Sequence, residues 1–123
     1  MSYQHFTVER EGEITVIKLT DLELLDQLVT HEMQDELVRF VDEEKPKWLI
    51  VSFDRVRRCS TEIINSMLRS RKRVAALEGD IRLCSMRSTI RDVFRMLNLE
   101  GNVFEIFDTL DEAKQGFAIR GES

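Results

Sequence analysis

The sequence predicts an α/β domain: a mixed, largely parallel sheet that opens with a β-hairpin and carries about four helices in a single layer. Three observations predict it. Short β-branched segments alternate with stretches of helical periodicity, the order that builds βαβ units. The segment Trp48–Phe53 is almost continuously apolar, as a central parallel strand covered on both faces must be. The chain has 123 residues, 42% hydrophobic and 33% charged, which suits one domain, 1–123, around one core.

The elements follow in order. Phe6–Glu9 and Glu13–Leu19 read as two strands around Glu11-Gly12, where glycine suits a tight hairpin turn. Leu22–Asp26 is a brief apolar segment with acids on both sides and reads as a short strand. Met33, Leu37, Phe40 and Val41 recur at helical spacing, predicting a helix over Thr30–Glu44 with Thr30 as its cap and Pro46 beyond its end. After the central strand, a stripe of Ile63, Met67, Ser70, Val74 and Leu77 predicts a long helix from Ser60 to Glu78. Gly79 is expected to take the left-handed conformation at its exit. Ile81–Met86 returns as a strand. Ser88 can cap a helix carrying Ile90, Val93, Phe94 and Leu97. Val103–Phe107 is a last strand. Thr109 and Glu112 form a capping box for a final helix carrying Leu110, Ala113 and Phe117. Right-handed crossovers place successive helices on one side while the strand order runs one way.

Charge is distributed unevenly. The net charge is −5, yet residues 55–95 hold 11 bases against 4 acids, between acidic flanks. Such a basic centre suits an anionic ligand, an acidic partner, or Arg-rich helix surfaces. No apolar run exceeds four residues, far short of the ~20 that a membrane span needs. Met1–Glu13 lacks the basic start and apolar stretch of a signal peptide, so a cytoplasmic location is expected. Two cysteines, Cys59 and Cys84, do not make a disulfide framework.

Signatures of catalysis are absent from the sequence. No glycine-rich phosphate loop occurs, and Ser52, Ser60 and Ser66 lack the flanking glycines of a nucleophile elbow. His5 and His31 share no ligand spacing with the cysteines, so no metal or cofactor is expected. Each histidine reads as a surface or hairpin residue, and Cys84 as a small core residue.

One local constellation stands out: Arg57-Arg58-Cys59-Ser60-Thr61-Glu62. It joins the C-terminal end of the most buried strand to the N-terminus of the long helix. Ligands and partners bind at this edge of open α/β sheets, and helix N-termini carry unpaired donors and a positive partial charge. Capping alone would account for a serine here; its loss would then cost about 1 kcal/mol.

Several segments in order resemble one known family. They are the strand Ile14–Leu19, the Leu24-Leu25-Asp26 element, and the strand Leu49–Phe53 leading to Ser60-Thr61. The strand Ile81–Ser85 then leads into Ile90-Arg91-Asp92-Val93-Phe94-Arg95-Met96-Leu97-Asn98-Leu99, and Val103–Ala113 closes the series. From about Ile14 to Phe117 the chain resembles the STAS domain, the module of bacterial anti-sigma factor antagonists that also occurs in sulfate transporters. The resemblance implies a non-enzymatic regulatory module that binds an anti-sigma factor/serine kinase or another signalling protein. In that family a serine in an Asp-Ser-Ser/Thr-Gly loop is phosphorylated, and the phosphorylated form releases the kinase. Ser60 falls on that serine and Thr61 on the next hydroxyl, and Ser60 is expected exposed at the first turn of the long helix, with Arg57 and Arg58 within reach of a phosphate on it. Cys59 stands where the family usually has aspartate, and Glu62 where it usually has glycine. The implied partner-binding residues are Arg57, Arg58, Cys59, Ser60, Thr61 and Glu62, on a monomer or weak dimer without membrane or nucleic-acid contact.

The alternative reading is a nucleotide- or nucleic-acid-binding module using the basic 55–95 region, with Arg69, Lys72 and Arg73 on one helix side. Against it, Phe94 is the only aromatic there and falls on the apolar stripe, whereas single-strand binders present exposed aromatic platforms. A sequence pI near 5.1 also opposes it.

Overall fold

The computed structural model describes residues 3–121; the first two and last two residues of the expected 1–123 domain lie outside them. Strands β1 (Phe6–Glu11) and β2 (Ile14–Leu19) form the antiparallel hairpin, with Gly12 at φ 60° in its turn. Strands β4 (Trp48–Ser52), β6 (Asp80–Cys84) and β7 (Glu105–Phe107) then add in parallel, giving the order β1-β2-β4-β6-β7. A separate pair of two-residue strands, β3 (Glu23–Leu24) and β5 (Arg58–Cys59), runs parallel beside this sheet. Among the described residues the helices are α1 (Gln27–Glu44), α2 (Glu62–Ala76), α3 (Ser88–Met96) and α4 (Leu110–Gly121).

Strand alternation divides the core in two. Leu49 and Val51 of β4, with Ile17, Leu19, Ile81 and Leu83, face α1, α2 and α3. Ile50 points the other way and packs with Val16, Cys84, Ala113 and Phe117 under α4. The expected single layer of helices is therefore corrected: three helices cover one face and α4 covers the other. The crossover rule binds only a helix that links two parallel strands. No described strand follows α4, so its apolar residues settle on the face left open. Trp48 packs at a tilt against Phe117 there, ring centroids 5.3 Å apart, and the Arg82 guanidinium lies over the Phe117 ring at 4.4 Å.

Several boundaries move for local reasons. Helix α1 starts before the expected Thr30, because the Asp26 carboxylate accepts the Leu28 and Val29 N–H groups at 2.8 and 3.2 Å. Thr30 is buried inside the first turns and donates its hydroxyl back to the Asp26 carbonyl at 2.9 Å. At the exit of α2, Glu78 takes the left-handed conformation (φ 61°). Gly79 is required for space instead: a Cβ there would sit 2.2 Å from the Lys47 carbonyl oxygen. Among the described residues no helix is long and apolar enough to cross a membrane.

Candidate functional site

The segment after β4 is tied down from two sides. Val56 is fully buried and anchors it in the larger core. The Leu22 carbonyl accepts the N–H groups of Arg57 and Arg58 at 2.8 and 3.4 Å, and the Leu24 carbonyl accepts that of Ser60 at 3.0 Å. The β3–β5 pairing thus holds Arg57–Ser60 extended across the C-terminal edge of the sheet until α2 begins. Behind α2, the buried Ser66 hydroxyl donates to Gln34 Oε1 at 3.0 Å, fixing α2 against α1.

Five of the six expected site residues line one cavity of about 400 Å³: Arg57, Arg58, Cys59, Ser60 and Thr61. Its opposite wall comes from Ile90, Val93 and Phe94 of α3, and Leu25 stands at its rim. Glu62 is not among the lining residues; its carboxylate faces His31 Nε2 of α1 at 3.7 Å. Arg57 and Arg58 are exposed, and Arg58 reaches Glu23 at 3.8 Å. Burial pushes the Cys59 thiol up to about 11, so this cysteine stays protonated and unreactive near neutrality.

Ser60 departs from expectation in two ways. The residue is half-buried, and its hydroxyl oxygen is shielded from solvent with no hydrogen-bond partner. It is therefore neither the exposed hydroxyl nor the side-chain cap that its position suggests. Thr61 is the residue before the first turn, and its side chain makes no capping bond either. Local sequence places a serine near a helix start but not where its hydroxyl points, which the folded chain decides. Thr61 itself is exposed.

The α3 wall and Leu25 were legible only as core stripe and connecting segment. Ile90 and Phe94 are indeed buried; what the stripe does not reveal is that its edge borders a cavity against α2. The basic centre also resolves into separate pieces. Arg73 pairs with Asp42 of α1 at 2.6 Å. Arg91 makes a two-pronged contact to Glu100 at 2.9 and 3.1 Å and donates to the Ile106 carbonyl. Hydrogen bonding from Arg91 holds the Glu100 carboxyl below the usual range. Phe94 is fully buried and offers no stacking platform. Among the described residues no cluster of three or more His, Cys, Asp or Glu side chains is placed to hold a metal ion.

A family model described as STAS domain matches residues 5–113. The chain belongs to the STAS domain family. An anti-sigma-factor antagonist (STAS) domain protein from Planctomyces limnophilus superposes with a TM-score of 0.78 at 19% identity, covering 92% of this chain and 97% of that one. An anti-sigma factor antagonist from Mycobacterium paratuberculosis gives 0.78 at 16%, covering 94% and 92%. The Bacillus cell fate determinant SpoIIAA in its phosphorylated form gives 0.68 at 22%, covering 91% and 98%. At these identities the likeness is one of fold. No curated protein matches the sequence. This STAS domain thus resembles the anti-sigma factor antagonists over nearly its whole length, with the Arg57–Glu62 segment at the C-terminal edge of the sheet.

Proposed function

We propose that this STAS domain is a non-enzymatic regulatory module of the cytoplasm that binds an anti-sigma factor/serine kinase at the Arg57–Glu62 edge, and that phosphorylation of Ser60 weakens the complex. The observation that carries the reading is the convergence of Arg57, Arg58, Cys59, Ser60 and Thr61 on one cavity whose far wall is apolar, in a chain of this family. Such a surface offers a partner both apolar contact and positive charge, and exposed apolar area rimmed by polar groups marks interaction sites. The exposed Leu25 lines it, and the exposed Leu22 flanks the strand paired with β5.

The shielded Ser60 hydroxyl shapes the switch. It must swing outward about χ1 before a kinase can reach it. Having no partner, it forfeits no hydrogen bond in doing so and moves from one staggered well to another. A phosphate placed there adds about −1.5 to −2 charges and three strong acceptors. Arg57, Arg58 and the start of α2 would receive that charge, whereas an acidic or apolar partner surface would be repelled. The signal would then break a complex without unfolding the domain.

The test is a binding titration against an anti-sigma factor/serine kinase of the same cell. Ser60→Ala should keep binding and Ser60→Glu should weaken it about tenfold or more, with both variants folded by circular dichroism. Mass spectrometry after incubation with the kinase and ATP should find the phosphate on Ser60 and not on the exposed Thr61. A complex indifferent to both substitutions would refute the switch.

A further inference from the structure

The candidate edge is gripped from behind by a buried histidine. His5, expected at the surface, is only 7% exposed. Its Nδ1 lies 2.7 Å from Asp21 Oδ2 and its Nε2 lies 3.3 Å from Glu32 Oε2. The backbone N–H groups of Gln4 and His5 both donate to the Glu36 carboxylate at 2.9 Å, and the His5 carbonyl accepts from Thr20 at 3.0 Å. The charged groups facing the ring are Asp21, from the segment after β2, and Glu32 and Glu36, from α1. Among the described residues none of the three carboxylates pairs with a lysine or arginine.

Both ring nitrogens therefore face carboxylate oxygens. A neutral imidazole carries one N–H and one lone pair, so it can donate to only one of them and turns its lone pair on the other. Only the imidazolium satisfies both. Burial works against that charge, but the hydrogen bonds to Asp21 and Glu32 and the charges of Asp21 and Glu36 outweigh it, leaving the ring's pKa above its ordinary value. Asp21 is followed directly by Leu22, whose carbonyl holds the Arg57 and Arg58 N–H groups, while Leu24 holds Ser60. One short segment is thus fastened to His5 at one end and to the candidate edge along its length.

We infer that His5 is a proton-operated clamp on the Arg57–Ser60 edge: doubly protonated, it ties Asp21 to α1 and keeps Leu22–Leu24 in register, and loss of one ring proton releases one carboxylate and loosens that register. Its consequence for a partner rests on the docking site proposed above; the clamp itself does not.

The experiment is an amide NMR titration of the full chain, without partner, from about pH 5 to pH 8, the range in which histidine changes charge. The Arg57, Arg58 and Ser60 amides should shift with the same midpoint as the His5 ring. In His5→Gln that inflection should be lost. In Asp21→Asn, which removes a charge that favours the imidazolium, the His5 midpoint should fall and the edge midpoint should follow it. His31→Gln serves as the parallel control, because His31 faces Glu62 at 3.7 Å; it should leave the inflection in place. Edge amides that stay flat through the His5 midpoint would overturn the inference. So would an inflection that survives His5→Gln, vanishes with His31→Gln, or fails to follow the ring in Asp21→Asn. Should His5→Gln not fold, Asp21→Asn and His31→Gln decide the matter. Because no partner is present, failure of partner binding leaves this outcome unaffected.

Discussion

Helices α2 and α4 both begin at the C-terminal edge of the parallel sheet, and they begin differently. At α4 the Thr109 hydroxyl accepts the Glu112 N–H at 3.2 Å and donates to the Glu112 carboxylate at 3.3 Å. The first turn finishes itself with its own side chains. At α2 the Ser60 hydroxyl is buried and unpartnered, and Thr61 makes no capping bond. The same residue types stand at both starts; only one start uses them locally. The difference follows from what lies alongside. The α4 cap is exposed to water on a surface turn, whereas the α2 start is held by β3 and borders the cavity against α3. The α2 start has no side-chain cap; its Ile63 and Ile64 N–H groups close on the Ser60 and Thr61 carbonyls, and the Leu24 carbonyl holds the Ser60 N–H from β3.

Four substitutions or measurements break or sharpen this contrast. The largest effect belongs to Phe94, fully buried and forming part of the cavity's far wall. Phe94→Ala should lose about 3–5 kcal/mol in urea unfolding; parental stability would mean that the α3 wall does not support the α2 start. Next is Cys59, whose thiol sits at about 11. Alkylation near pH 7 should run on the order of a hundredfold slower than for a free cysteine, since the thiolate is the nucleophile. Fast labelling would show that the edge opens readily.

The contrast between the caps comes third. Thr109→Ala should cost about 1 kcal/mol, whereas Ser60→Ala, which removes a buried hydroxyl with no partner and with it a desolvation cost, should be at least as stable as the parent. Equal losses in parallel denaturation curves would make Ser60 a cap after all. The smallest effect is a pH dependence at the clamp. The folded pKa of His5 is raised, so its contribution is fully present below the unfolded value of about 6.5 and is lost as pH rises through the folded one. The stability gap between the parent and His5→Gln should therefore be widest near about pH 5–6 and narrow on the alkaline side. A gap that widens with rising pH would reverse the assigned charge state.

Much of this was written locally. The Thr109/Glu112 capping box, the Leu110, Ala113 and Phe117 stripe and the apolar run from Trp48 are patterns of neighbouring residues, and each appears where expected. The site was legible as a segment, because Arg57–Thr61 are contiguous. Its far wall was not, because Ile90, Val93 and Phe94 lie some thirty residues away and read only as core. The short strand expected within Leu22–Asp26 is present as β3, but its partner β5 was not foreseen, for a related reason. Strands of two residues carry no periodicity, and their pairing joins positions more than thirty residues apart.

Periodicity and capping signals, which depend on residues within a few positions of one another, sufficed for the element order, the hairpin and the parallel sheet, while the resemblance of successive segments carried the family. Placement across distance depended on the folded chain. Side α4 covers was open, since no crossover constrains a helix with no described strand after it. His5 acquired its three carboxylates only when β1, the segment after β2, and α1 came together. Ser60 lost its exposure when β3 closed over the edge. In each case burial and pairing are properties of surfaces that meet, and no stretch of sequence contains both surfaces.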